Sequence, residues 1–354
     1  NNAAPIKMTF SSEQVAASNR DIIRYAANPQ IPANASLDLK RVMQFIASDD
    51  ARNKVSTGRG ELEPYFPTKN FYLEIDTNKA REFNMVSADE PIAPRMEWSI
   101  TNGNLLKNDL LTLDIVANNI LERPIYFAVS VAPEAYLGLE KYFQLEGLTY
   151  RIVPRLNATG SAYNAPVRTD AMFDNMMKKF KFGGIESNPN IYLDENIMRM
   201  TVNVRGNFGR LAEALIAKGE NEKAIQALDY SLKMMPTERV PLNVFAYQYP
   251  EIYYKAGAKD KGKKVMEELL TQSREFLKYY QGVYRYLLQQ ARNSGDNQYL
   301  QQLQQGSFTD NRNVREPLYI FQEMMRTAKQ YEDAEFSSKL EKEFEQLRMG
   351  FVQM

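Results

Sequence analysis

The chain has 354 residues, of which 44 are Lys or Arg, 44 are Asp or Glu, and 44% are hydrophobic. This length and apolar content predict two ordinary domains, each with its own core, and exclude a disordered chain. The balanced charge provides no field that would draw the protein to nucleic acid or to an anionic membrane surface. Nucleic-acid binding is therefore disfavoured.

The sequence contains no Cys and no His. Their absence excludes thiolate nucleophiles, imidazole bases and most zinc and iron sites. Any catalysis would have to use Asp, Glu, Lys, Tyr or Ser, and we expect no cofactor and no metal. A lack of Cys also fits an oxidising compartment, where free thiols are a liability.

The chain starts at Asn1 without an initiator Met and without the pattern of a signal peptide. A membrane-spanning helix needs about 18 or more consecutive apolar residues. No stretch of this sequence approaches that length. We therefore expect this chain to be a piece of a longer protein.

The first part of the chain predicts mixed α and β structure. Residues 1–35 are predicted to be an extended lead-in with one short helix inside 15–27. Ser36 is a suitable N-cap for a helix that ends near Asp49, with one apolar face. Further elements are predicted from alternation and β-formers at 71–75, 82–87 and 95–100 (strands) and from Asn104 to about Asn118 (helix).

The segment 110–155 changes from a helical to a strand pattern twice over short distances. The apolar run Ile125–Val131 predicts a central strand that is covered on both faces. A helix is predicted over 134–144 and a final strand over 148–154. These elements predict a mixed-sheet α/β domain over residues 36–156.

The remainder of the chain is predicted to be helical. Residues 157–204 have the composition of a linker with connecting helices, including an amphipathic helix at 172–184. Residues 205–354 are predicted to form an all-α domain of tetratricopeptide-like helical repeats, since residues 208–236 match that repeat pattern.

Three glycines recur at a spacing of 38 residues: Gly219, Gly257 and Gly295. Each is predicted to end the first helix of a pair in the left-handed conformation. Three helix pairs are then expected to stack, followed by a divergent capping pair at 314–331 and 333–348.

The second and third repeats are rich in tyrosine: Tyr247, Tyr249, Tyr253, Tyr254, Tyr279, Tyr280, Tyr284 and Tyr286. Packing between helices is the favoured interpretation, because stacked repeats bury such rows. The alternative is a concave aromatic surface for a peptide or a glycan, with Tyr249, Tyr253 and Tyr284 as its candidate binding residues.

Two polar groups of residues have a functional and a structural interpretation. Asn119 and Arg123, with Asn118 and Tyr126, could form a binding cluster at the start of a strand, or simply cap a helix and begin that strand. Glu61 and Glu63 could act as acid and base or hold a divalent cation, but acidic residues in a loop are more often solvated.

Two triplets match the acceptor pattern for N-glycosylation. They begin at Asn34 and Asn157.

Three stretches carry a family resemblance: YFPTKNFYLEID at 65–76, MEWSITNGNLLKND at 96–109, and LLTLDIVANNILERPIYFAVSVAPEAYLGLEKYFQLEGLTYRIVPR at 110–155. They resemble the soluble C-terminal part of large multi-pass bacterial membrane proteins of unknown function. The membrane half of those proteins is similar to protein O-mannosyltransferases of the C-type glycosyltransferase superfamily. Leu121 departs from the family, which has Trp before the Arg-Pro pair.

The resemblance covers residues 35–155 closely and the helical remainder loosely. It implies a location on the periplasmic side of the inner membrane, with the sugar-transfer residues in a membrane half outside this chain. The implied function is a non-catalytic accessory region that binds an acceptor or partner protein, or a glycan.

Two other functions stay open at this point. One is a pure protein–protein interaction scaffold of an envelope assembly with no glycan role. The other is a hydrolase that uses Glu61 or Glu63.

Overall fold

The computed structural model describes residues 5–58, 60–303 and 311–351. The chain divides into two compact units, Asn1–Met172 and Phe173–Met354. The border lies inside the stretch 157–204, where the sequence predicts a linker and connecting helices. The first unit mixes helices with short strands and the second is helical, so the predicted fold class is confirmed.

The first unit is built from short elements. Its helices are α1 Ser12–Ala16, α2 Leu39–Ala47, α3 Thr77–Glu82, α4 Lys107–Asn119 and, across the border, α5 Thr169–Asp174. Its strands are β1 Ile22–Tyr25, β2 Leu37–Asp38, β3 Lys54–Ser56, β4 Leu62–Phe66, β5 Asn70–Glu74, β6 Arg95–Ser99, β7 Asn104–Leu106, β8 Tyr126–Ala128, β9 Phe143–Leu145 and β10 Thr149–Ile152.

These strands form three small sheets with the orders β3-β4-β1-β7, β2-β5-β6 and β8-β10-β9. The pairs β1–β4 and β2–β5 are parallel and the other pairs are antiparallel, so two of the sheets are mixed. Strand β6 alternates between exposed and buried residues, which places Met96 and Trp98 on one face. The Trp98 ring lies 5.9 Å from the ring of Phe71 on β5.

Helix α2 forms where the sequence predicts it, and the four residues of its apolar face are buried: Leu39, Val42, Met43 and Ile46. The predicted N-cap is wrong, because Asp38 and not Ser36 caps the helix through Arg41 N. Two residues, Leu37 and Asp38, first pair with β5 as a strand, and this pairing delays the start of the helix.

Two predictions in the first hundred residues are wrong. The helix expected inside 15–27 is limited to Ser12–Ala16, and Ile22–Tyr25 is instead a strand between β4 and β7. The strand expected at 82–87 is a turn after α3, in which Asn84 has a φ of +48°. A left-handed residue cannot continue a strand, and asparagine tolerates this conformation well.

The segment 125–145 also differs from its prediction. The strand β8 covers only Tyr126–Ala128 and lies at the edge of its sheet, where Tyr126 is 44% exposed. The helix predicted over 134–144 is replaced by two 3-10 turns, Pro133–Tyr136 and Leu139–Tyr142, and by β9.

The break between these turns has a clear cause. Leu137 and Gly138 both have positive φ, at +57° and +78°. A Cβ atom at Gly138 would lie 2.3 Å from the carbonyl oxygen of Ser99, so only glycine fits there. This contact between distant parts of the chain overrides the local helical pattern.

The second unit contains helices α6 Glu195–Ala217, α7 Asn221–Met234, α8 Tyr249–Lys255, α9 Lys259–Ser294, α10 Asn297–Gln302, α11 Arg312–Tyr331 and α12 Ala334–Met349. A π-helical turn, Asn175–Lys179, follows α5, so the predicted helix at 172–184 is shorter and less regular than expected. From residue 206 onward, the regular structure of the described residues is helical, as predicted. Among the described residues, no helix combines the length and apolarity that crossing a membrane would require.

The three regularly spaced glycines all have left-handed backbones. Their φ angles are +76° at Gly219, +87° at Gly257 and +70° at Gly295. They follow α6, α8 and α9, so the predicted helix ends are confirmed.

The predicted separation into three helix pairs is wrong, because α9 is one helix of 36 residues. Helix α9 contains two helices that were predicted to be separate, namely the second helix of the second pair and the first helix of the third pair. The sequence 259–294 contains no proline that would interrupt it. Part of the third pair's second helix lies outside the described residues.

A candidate ligand-binding groove

The helical unit contains a groove with a volume of about 300 Å³. Four segments line it: 198–202 on α6, 241–243 after α7, 269–276 on α9 and 312–320 on α11. We call this feature the helical groove. Its volume lies at the lower end of the range for sites that hold small ligands or single anchoring side chains.

The exposed surface of the helical groove is mostly apolar, and its apolar lining residues are Met198, Val202, Pro241, Leu242, Leu269, Phe276, Pro317 and Ile320. Its polar lining residues are Asn243, Gln272, Ser273, Arg312, Asn313 and Glu316. On α9 the lining residues Leu269, Gln272, Ser273 and Phe276 follow the spacing that places side chains on one face of a helix. The Phe276 side chain is 51% exposed. The groove therefore leaves apolar surface available to a ligand.

Arg205 on α6 fixes the connection that forms one wall. Its side chain is fully buried, and its guanidinium donates to the carbonyl oxygens of Val240 at 2.7 Å and Pro241 at 2.9 Å, and to that of Met235. Burial lowers the pKa of Arg205. Because three backbone carbonyls converge on one side chain, the residues that follow α7 are held in place next to the groove.

The polar residues of the groove wall include two acceptors that lack a usual donor. Gln272 Oε1 is buried and has no hydrogen-bond partner among the described residues. Pro317 lies inside α11 and has no N–H, so the carbonyl of Asn313, four residues earlier, lacks its normal helical donor. Both Asn313 and Pro317 line the groove.

Charged residues are present at the α11 side of the groove. Glu316 Oε1 accepts from Val244 N at 3.4 Å, and Glu316 Oε2 lies 3.5 Å from Nε of Arg312. The Arg312 side chain is mostly exposed. The carboxylate of Glu316 thus already has a backbone donor and a cation.

The candidate residues Tyr249, Tyr253 and Tyr284 are buried and do not line the groove. The Tyr249 hydroxyl donates to Arg205 O at 2.7 Å and lies 2.8 Å from Ser231 Oγ. The hydroxyls of Tyr253 and Tyr284 donate to Asp229 Oδ1 and Leu303 O.

The rings of Tyr249 and Tyr284 are buried between helices, which is the packing that the sequence favours. Tyr253 is also buried but lines a second cavity of about 480 Å³, together with Asp229, Lys261 and Glu268. Burial raises the pKa of Tyr249, and burial together with the neighbouring Asp229 raises that of Tyr253. The exposed tyrosines of the same region are Tyr279 and Tyr286 on α9.

The candidate residues Asn119 and Arg123 hold the start of the chain. The Asn119 side chain accepts from Lys7 N at 3.0 Å and donates to Lys7 O at 2.8 Å. Asp114 accepts from Thr9 N at 2.8 Å, and Arg123 donates to Pro5 O at 3.2 Å. This side of α4 therefore binds the backbone of residues 5–9 of the same chain.

Tyr126, at the end of the same predicted cluster, belongs to a separate network. Its hydroxyl donates to Glu146 Oε2 at 3.0 Å, and Gln144 donates to Glu146 Oε1 at 2.9 Å. Burial and the Glu146 carboxylate raise the pKa of Tyr126. Arg151, 3.6 Å from Glu146, donates to the carbonyls of Phe83 and Asn84, so this network stabilises the turn after α3.

Glu61 directly precedes β4, and Glu63 is the second residue of that strand. Glu61 is exposed, and Glu63 is 3.8 Å from Arg24 on the neighbouring strand. Among the described residues, no group of three or more acidic side chains is arranged to hold a metal ion.

The two N-glycosylation triplets have different environments. Asn157 is buried, and its amide donates to Ser161 O and accepts from Thr159. Asn34 is exposed.

Sequence reasoning missed the helical groove. Its local signals are Pro317 within a helix and the spacing of Leu269, Gln272 and Phe276. Neither signal indicates that these two helical faces meet, because that depends on packing between α9 and α11.

Residues 1–171 match the family model described as TMEM260-associated domain 2. The match ends one residue before the border of the first unit at Met172. The stretches that carry the family resemblance, 65–76, 96–109 and 110–155, all lie inside it. Comparison with curated proteins and with solved structures gave no match. The matched segment therefore has a family likeness, and the helical unit is interpreted from its geometry alone.

Proposed function

We propose that this chain is a non-catalytic accessory region of a membrane glycosyltransferase-like protein, on the periplasmic side of the membrane. In this proposal the helical groove binds a segment of an acceptor or partner protein. The match of residues 1–171 to TMEM260-associated domain 2 supports a connection to that family. The resemblance of the segment 110–155 to membrane proteins related to O-mannosyltransferases supports the enzyme class, and the lack of Cys supports the compartment.

The observation that carries the proposal is the aliphatic lining of the helical groove. The surface that the groove exposes is mostly apolar, whereas a glycan carries many hydroxyl groups that need polar partners when they are buried. Of the described residues that line this groove, Phe276 is the aromatic one. An apolar side chain of a polypeptide fits such walls better than a sugar ring, because the hydrophobic effect rewards the apolar area that it buries.

We also propose that α6 to α9 form two tetratricopeptide-like helix pairs. In the first pair the large and small repeat positions are buried: Phe208, Leu211, Ala212, Leu215, Ala224 and Leu228. In the second pair a Cβ atom at Gly262 would lie 3.0 Å from Pro250 O, so α8 and α9 approach closely where the repeat requires a small residue. Stacked helix pairs of this kind create extended binding surfaces.

The test is a selection of binding peptides with the full chain, followed by affinity measurements on two variants. Phe276→Glu places a charge in the helical groove at a half-exposed position. Tyr279→Glu is the matched control, because Tyr279 lies one turn further along α9, is 65% exposed and does not line the groove. We expect Phe276→Glu to weaken peptide binding at least about tenfold and Tyr279→Glu to leave it unchanged.

A glycan array with the unmodified chain and the two variants tests for the contrary outcome. If the chain binds glycans and no peptides, or if Phe276→Glu and Tyr279→Glu weaken peptide binding equally, the proposal is wrong.

The alternative function is a scaffold of an envelope assembly without a glycan role, which the aliphatic groove would equally suit. Crosslinking through position 276 in cells, followed by mass spectrometry, separates the two. A captured protein that carries sugar supports the acceptor function, and an unmodified structural protein of the envelope supports the scaffold.

A further inference from the structure

We propose that one face of α9 rests on an anionic lipid bilayer, with tyrosine rings at the level of the headgroups and basic side chains on the lipid phosphates. This inference goes beyond the proposed function and does not depend on what the helical groove binds.

The two halves of α9 differ in charge. Residues 259–275 contain four acidic and five basic residues, whereas residues 276–294 contain Lys278, Arg285 and Arg292 and no acidic residue. The chain as a whole carries no net charge. Attraction to an anionic surface must therefore be local, and it acts within about one Debye length of the basic side chains. The second half of α9 provides such a local positive field.

The basic residues are in register with tyrosines. Lys278, Arg285 and Arg292 are seven positions apart, and Tyr279 and Tyr286 directly follow the first two. Seven residues are close to two helical turns, so the basic residues and the tyrosines form two neighbouring rows along α9. All five side chains are exposed, Tyr279 at 65% and Tyr286 at 60%. We call these five residues the outer face of α9.

The opposite side of the same stretch packs into the helical unit. Its buried residues are Leu277, Tyr284, Leu288 and Ala291. The helix is therefore fixed to its unit on one side and open on the other. From Lys278 to Arg292 the outer face extends about 21 Å, because an α-helix rises 1.5 Å per residue. Side chains in rows of this length can all reach one flat surface.

The chemistry of the outer face fits the interface of a bilayer. A tyrosine ring enters the boundary between headgroups and acyl chains while its hydroxyl stays hydrated, and Lys and Arg side chains extend to the phosphates. Helices that lie in this interface combine the same two kinds of side chain. The rings supply apolar area, and the cations select anionic lipid over neutral lipid.

Single-stranded nucleic acid also combines phosphates with partners for aromatic rings. Proteins that bind it follow its backbone with a positively charged groove. The outer face is the open side of one helix, and the helical groove is lined by other residues of α9. The geometry therefore fits a bilayer better than a nucleic acid.

The test is sedimentation of the full chain with two kinds of lipid vesicle, one of phosphatidylcholine alone and one of equal parts of phosphatidylcholine and phosphatidylglycerol. At low salt we expect the anionic vesicles to bind at least about tenfold more tightly than the neutral ones, and high salt should weaken this binding. Two double variants, Tyr279→Gln with Tyr286→Gln and Lys278→Gln with Arg285→Gln, should each weaken binding to the anionic vesicles about tenfold.

Two double variants outside the outer face are the matched controls. Tyr163→Gln with Tyr192→Gln removes two tyrosines that are 70% and 84% exposed. Lys339→Gln with Lys342→Gln removes two exposed lysines of α12 and changes the net charge by the same amount as the basic variant of α9. Both controls should bind the anionic vesicles as tightly as the unmodified chain.

Three results would overturn the inference: no binding to the anionic vesicles at low salt, equal binding to both kinds of vesicle, or equal losses in the outer-face and control variants. A single-stranded oligonucleotide that binds the outer face when the vesicles do not would identify a nucleic-acid site instead. The outer face does not include Phe276, so each of these results would leave the proposed function of the helical groove standing.

Discussion

The hydroxyl of Tyr254 on α8 donates a 2.8 Å hydrogen bond to the carboxylate of Glu332, the residue after α11. Lys263 Nζ on α9 lies 3.0 Å from the same carboxylate, whose side chain is 3% exposed. The rings of Tyr254 and Tyr331 stack at 4.8 Å beside it. Three helices of the second unit are thus joined at one buried charge.

This relationship predicts a pH dependence of stability. Burial alone would raise the pKa of Glu332, but the hydrogen bonds from Lys263 and Tyr254 outweigh it and hold the pKa below the ordinary value of 4.5. A carboxyl group with a lowered pKa stabilises the fold above its unfolded pKa, and this contribution is lost as the pH falls through the folded value. The loss should therefore occur below about pH 4.5.

Glu332→Gln should lower the free energy of unfolding at pH 7 by about 1–3 kcal/mol and should reduce the loss of stability in acid. Urea unfolding at pH 7 and below pH 4.5 measures both effects. Glu335→Gln, at an exposed position on α12, should change neither. A Glu332→Gln variant that is as stable as the unmodified chain at pH 7 would show that the buried carboxylate contributes nothing.

Arg205 gives a second prediction. Arg205→Leu removes the donor from three backbone carbonyls, those of Met235 and Val240 in buried hydrogen bonds and that of Pro241 in a partly buried one. It should destabilise the second unit by about 3 kcal/mol or more. Thermal unfolding followed by circular dichroism provides the measurement. The control is Arg199→Leu on the same helix, where the side chain is 65% exposed and the change should be within about 0.5 kcal/mol.

The sequence predicts elements best where local periodicity and burial agree. The apolar face of α2 and the alternation around Trp98 are confirmed because each element needs only one buried side. The helix expected at 134–144 fails because the approach of Gly138 to Ser99, 39 positions away in the chain, decides the backbone there. The helical groove was beyond prediction for the same reason, since it depends on which faces of α9 and α11 pack together.

The close contact between Gly138 and the Ser99 carbonyl leads to a third prediction. Gly138→Ala should destabilise the first unit by about 3 kcal/mol or more, because the new Cβ would overlap the Ser99 carbonyl and the φ of +78° would be strained. Gly160→Ala is the matched control, since its φ is +61° but the space around its Cβ is open. It should cost only about 1 kcal/mol, from backbone strain. Equal costs for the two variants would argue against the contact with Ser99.

Two glycines of the helical unit should respond to substitution with opposite signs. Gly257 has a φ of +87° and open space around it, so Gly257→Val should cost about 1 kcal/mol or more. Gly282 lies inside α9, also with open space, and Gly282→Ala should stabilise the helix by about 0.5–1 kcal/mol. Guanidinium unfolding of each variant measures whether the free energy of unfolding falls or rises. An unchanged midpoint for Gly257→Val would contradict the left-handed helix end.

The last prediction concerns the start of the chain. The Asn119 side chain accepts from the N–H of Lys7 and donates to its carbonyl, and Asp114 accepts from Thr9 N. Side chains of α4 therefore hold the backbone of residues 5–9. Asn119→Ala should leave two backbone groups of Lys7 without these partners and lower the free energy of unfolding by about 1–3 kcal/mol. It should also make the peptide bond after Lys7 more sensitive to trypsin under native conditions.

The control is Asn108→Ala, at an exposed residue near the other end of α4 whose side chain donates to Asp109. Mass spectrometry of the first cleavage products distinguishes cleavage after Lys7 from cleavage elsewhere. If Asn119→Ala and Asn108→Ala are cleaved after Lys7 at the same rate, the contacts of Asn119 do not retain this segment. If only Asn119→Ala is cleaved faster, α4 is the element that fixes the path of the chain into the first unit.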